Sequence, residues 1–88
     1  MKAKILAELL NGKAEQFDKD GIWWVTVENE THRLDFEFDY SGDKLEAIQV
    51  VKKEQKEETI TKFRYHSPDI DRLRDMTDIF FRDRKSVV

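Results

Sequence analysis

The sequence predicts an α+β fold: a four-stranded antiparallel meander with an N-terminal and a C-terminal helix packed on one face, in the order α-β-β-β-β-α. Three observations predict it. The apolar period is helical at both ends of the chain and two-fold in between. Residues 34–40 alternate apolar and acidic side chains without a break. The segments of the middle region are joined by connections of hairpin length, which favour antiparallel neighbours.

The first helix is placed at residues 2–11. Taking Ile5 as origin, Lys2, Leu6, Leu9 and Leu10 fall within an arc of about 140°, with Lys4, Glu8 and Asn11 opposite. Ala, Leu, Glu and Lys are strong helix formers, and Asn11-Gly12 supplies a stop, with Gly able to take the left-handed conformation. Residues 13–20 are transitional, ending in the turn signal Asp20-Gly21.

The period then changes. Ile22-Trp23-Trp24-Val25-Thr26-Val27 is rich in aromatic and β-branched residues and reads as the first strand. In the second, Leu34, Phe36, Phe38 and Tyr40 alternate with Asp35, Glu37 and Asp39, giving one buried and one wet face. After the Ser41-Gly42-Asp43 turn, residues 44–52 form a third strand whose apolar residues fall on both parities. The fourth spans 59–66, with Phe63 and Tyr65 on one side and Lys62, Arg64 and His66 on the other. A second helix follows Ser67 as N-cap and Pro68 at the first helical position. Its apolar stripe is Ile70, Leu73, Thr77, Phe80 and Phe81, with Met76 at the edge and Ile79 outside it.

With 88 residues the chain is of a size for one domain spanning 1–88. Charged residues make up 40%, but both signs are interspersed and the apolar residues are patterned, which argues against disorder. The absence of cysteine excludes a disulfide, a thiolate metal site and a cysteine nucleophile, and favours a reducing, cytoplasmic setting. Glu8 and Asn11-Gly12 interrupt the first apolar run well short of a signal sequence, and no run approaches membrane-spanning length. Net charge is −3, with seven acids against two bases in residues 21–50 and five bases against three acids in 51–66. This predicts a polarised surface rather than a uniformly basic nucleic-acid binder.

No catalytic, metal or cofactor site is expected. His32 and His66 lack zinc-ligand spacing, Ser41 and Ser67 sit in turn and cap contexts, and no glycine-rich phosphate loop exists. Asp18-Lys19-Asp20-Gly21 resembles a fragment of a calcium loop, but Ile22 and Trp23 follow where oxygen ligands would be needed. Asp39, Ser41 and Asp43 read as turn chemistry.

The tandem Trp23-Trp24 is more informative. Adjacent strand residues point to opposite faces, so a sheet covered on one side cannot bury both. Trp23 shares parity with Val25 and Val27 and should face the core. Trp24 then lies with Ile22 and Thr26 on the open face, beside Asp35, Glu37 and Asp39 and close to Lys62 and Arg64. Trp is enriched at interaction hot spots, so this face is the candidate contact surface for a protein partner or a second copy, unless Phe17 or a chain end covers it. The alternative is single-stranded nucleic-acid binding by Trp24, Lys62 and Arg64, with Lys52, Lys53 and Lys56 nearby; the acidic row on the same face would repel phosphates. A third option, an acidic mimic of nucleic acid, needs the acids of residues 28–46 to line one continuous surface.

Overall fold

A computed structural model describes residues 1–18, 21–53, 58–64 and 69–83, with the backbone alone at 58–61, 63 and 83. The elements are α1 (Lys2–Leu10), β1 (Lys13–Gln16), β2 (Trp23–Glu28), β3 (His32–Phe38), β4 (Leu45–Lys52), β5 (Glu58–Arg64) and α2 (Ile70–Asp83). The expected antiparallel meander is present. Its four predicted strands are β2 to β5, and the short strand β1 adds a further edge, giving the order β1-β2-β3-β4-β5.

One face of the sheet carries the core. Val25, Leu34, Phe36, Phe38, Leu45, Ile48 and Val50 pack with Ala3, Leu6 and Ala7 of α1 and Leu73 of α2. Both helices therefore cover the same face. Trp23 packs against this cluster and its indole N–H donates to the Tyr40 carbonyl at 3.2 Å.

In α1 the buried face differs from the expected one. Ala3, Leu6 and Ala7 are buried, whereas Ile5 is 48% and Leu9 43% exposed. Ala3 and Ala7 take the inner positions beside Leu6, in place of Ile5 and Leu9, because α1 lies close against β1 and β2. At the helix end the gap narrows further: a Cβ on Gly12 would stand 2.4 Å from the Thr26 carbonyl oxygen. The left-handed residue is Asn11 (φ 56°) rather than Gly12. The Gly12 and Asn11 N–H groups donate to the Ala7 and Glu8 carbonyls, closing the helix with a Schellman motif. The other end of α1 has no side-chain cap of its own. Instead the Lys2 N–H donates to Asp43 Oδ1 at 3.0 Å and the Ala3 N–H to the Gly42 carbonyl at 2.8 Å. A carboxylate at this position also complements the helix dipole.

Residues 13–16, expected to be transitional, form β1. Lys-Ala-Glu-Gln has little strand propensity. Antiparallel pairing with β2, from Lys13↔Thr26 to Gln16↔Trp23, imposes the conformation. The mixed parity of β4 has a local cause. Phe38 pairs with Leu45 and Glu37 with Ala47, so Glu46 is an extra residue at a bulge and reverses the facing of the strand. Beyond it Val50 faces the core while Val51, opposite Arg33, faces the other way; both are buried.

Tyr40 lies outside β3 and is 69% exposed, not part of the buried face. The strand stops because Asp39 turns the chain. Its N–H donates to the Lys44 carbonyl, and its own carbonyl accepts from Gly42, which has φ +74°. In α2 the cap is Asp69, whose Oδ1 accepts the Arg72 N–H at 3.2 Å. Leu73 and Thr77 are buried, and Ile79 is 54% exposed as its place off the stripe requires. Asp20, Lys56, Tyr65, His66, Ser67, Pro68 and residues 85–88 lie outside the described residues.

Candidate interaction surface

The face opposite the helices is built from rows of cross-strand partners. The first row runs Glu15, Trp24, Glu37, Ala47, Arg64, and the next runs Lys13, Thr26, Asp35, Gln49, Lys62. Trp24 is thus on the open face, as its parity predicts, with a carboxylate directly opposite it in each neighbouring strand. It is half-buried. Part of that cover is Lys62, whose Nζ stands 5.8 Å from the indole centroid and 3.6 Å from Glu37 Oε2. The ammonium is held between a π-face and a carboxylate, each favouring the charge.

Ile22, one residue before β2, is 38% exposed. Phe17, one residue beyond β1, is 73% exposed. The two continue the parity of Trp24 and Glu15 past the paired ends of β2 and β1. Phe17 therefore adds to the apolar patch and leaves the indole half open. It shares with Glu15, Trp24, Thr26 and Asp35 a shallow groove of about 680 Å³. A second depression of about 520 Å³ lies between Glu37, Ala47, Lys62 and Arg64, its floor set by the small Ala47 side chain.

The acidic row does not survive as a wet stripe. Asp35 is only 6% exposed. Its carboxylate accepts from Arg33 Nε at 3.0 Å, Gln49 Nε2 at 3.2 Å and Thr26 Oγ1 at 3.3 Å. Cross-strand polar partners on both sides and Arg33 two residues away satisfy it in place of water, which a central-strand carboxylate needs. Asp39 leaves the row altogether. In the turn its Oδ1 accepts from Ser41 Oγ at 2.6 Å and from the Lys44 N–H at 3.3 Å. The Ser41 hydroxyl holds its carboxyl below the ordinary carboxylate value, against a desolvation that raises it, and backbone N–H groups of the turn add to the lowering. Of the predicted residues, Trp24, Glu37, Lys62 and Arg64 come together, Ile22 flanks them, Asp35 lies beneath the surface, and Asp39 serves the hairpin turn.

The chain matches no family model, no curated protein and no solved structure. Sequence reasoning missed Glu15 as a surface residue and weighed Phe17 only as a cover for Trp24, not as part of the patch. Their signal was the alternation Lys13, Glu15, Phe17, hidden because the residues between them carry no strand propensity.

Proposed function

We propose that this chain is a small non-catalytic accessory or regulatory domain of the cytoplasm that binds a protein partner through its open sheet face. The observation that carries the reading is the run Phe17, Ile22 and Trp24, three large apolar side chains on the face opposite the described helices. Single exposed apolar residues are ordinary, but a clustered aromatic patch rimmed by charges has the composition of an interaction site. Glu15, Glu37, Lys62 and Arg64 form that rim. No helix among the described residues is long and apolar enough to cross a membrane.

Nucleic-acid binding is the weaker reading because one of its two bases is already engaged, Lys62 sitting on Glu37 and Trp24, and the carboxylates of the same face repel phosphate. The Trp24→Ala variant is expected to keep the wild-type circular dichroism spectrum and melting profile while losing capture of a partner from the native host's extract. Unfolding of the variant would make Trp24 a core residue, and undiminished capture would remove the patch from the interface. A salt titration against single-stranded RNA and DNA separates the readings, since phosphate binding falls steeply as salt rises.

A further inference from the structure

We propose that β1 is a self-pairing edge through which two copies of the chain join their sheets. The order β1-β2-β3-β4-β5 leaves the outer side of β1 without a strand among the described residues, so its outward backbone N–H and C=O groups are a template for another strand. Lys13 and Glu15 are exposed on the open face, and neither has an ion-pair partner among the described residues; Ala14 between them is half-buried against the core.

This pattern is complementary to itself. In an antiparallel pair related by a two-fold axis at Ala14, Lys13 stands opposite the partner's Glu15, and Glu15 opposite the partner's Lys13. Ala14 meets the partner's Ala14, where small side chains allow the strands to close. Faces are preserved by such an axis, so both open faces stay on the same side of the joined sheet. The row Arg64, Ala47, Glu37, Trp24, Glu15 would then run on into the partner's Lys13. Trp24 would have a lysine-bearing carboxylate on each side, repeating toward the partner the arrangement that Glu37 and Lys62 already make within the chain. The same axis sets Phe17 against the partner's Asn11 and Gly12, which line the open-face groove. A Lys alone on an edge strand discourages pairing; a Lys and a Glu two residues apart select the one antiparallel register that matches them.

This edge adjoins the open-face patch and shares Glu15 and Phe17 with it, but sedimentation velocity over a concentration series reads self-association apart from partner capture. The wild-type mass is expected to rise from 10.6 kDa toward double that value. Lys13→Glu and Glu15→Lys each set like charges opposite one another twice per dimer, and each should raise the dissociation constant roughly tenfold. An equimolar mixture of the two variants restores complementarity and should associate as tightly as wild type. Both positions are exposed, and circular dichroism confirms that the variants are folded. A wild-type mass that stays at 10.6 kDa up to about 1 mM overturns the proposal, as does a dimer indifferent to either substitution or a mixture that fails to associate. A dimer lost in Trp24→Ala but kept in Lys13→Glu assigns self-association to the open face and also overturns it.

Discussion

At Asp39 a hydroxyl and the N–H groups of its turn converge on one carboxylate, so the turn's integrity is coupled to a charge. A carboxyl whose pKa lies lower in the folded than in the unfolded chain contributes stability that is fully present above the unfolded value, about 4. That contribution is lost as pH falls through the lower folded value. Asp39→Asn keeps an acceptor oxygen but removes the charge. Denaturation by urea is expected to show the variant less stable than wild type at pH 7, with the gap closing as pH is lowered from 5 toward 3. A gap independent of pH would mean that the charge is not what holds the turn. The turn in turn supports α1, because Asp43 and Gly42 within it accept the first N–H groups of that helix.

The helices show how tertiary packing selects among faces that sequence leaves nearly equivalent. Helix α1 offers Ile5 and Leu9 on one flank of Leu6 and Leu10, and Ala3 and Ala7 on the other. Hydrophobicity favours the first set, but the sheet is close enough that alanine fits and isoleucine does not. Ala3→Leu is expected to cost about 1–3 kcal/mol by overpacking, whereas Ile5→Lys should stay within about 0.5 kcal/mol of wild type. Thermal denaturation of the two variants checks both values; the reverse order would place Ile5 in the core. Helix α2 carries a stripe without such ambiguity, since Leu73, Thr77 and Phe80 have no competing apolar face. Its buried residues follow the predicted period.

Across the whole molecule one cluster unites α1, the sheet and α2. Among the described residues no pair of elements has a core of its own, so unfolding should be all-or-none. Trp23, packed on the cluster, and Trp24, on the opposite face, report from the two sides of the same strand. Single-tryptophan variants at Trp23→Phe and Trp24→Phe should give urea transitions that coincide with the loss of far-ultraviolet circular dichroism. Separated midpoints would show that the open face loosens before the core. The same division of faces defines the functional reading, because only the side free of helices presents a continuous surface of strands to a partner.

Local pattern determined the order of elements, the antiparallel connections, the inward set Leu34, Phe36 and Phe38, and the outward placement of Trp24. Each follows from a repeat of two or 3.6 residues, which backbone geometry turns directly into facing. Tertiary structure alone decided the strand at Lys13–Gln16, the inner face of α1, the burial of Asp35 and the departure of Asp39 from its row. These depend on which strand lies alongside, how closely a helix approaches, and where partners for a carboxylate stand. Such distances join residues far apart in the chain, and no local period encodes them.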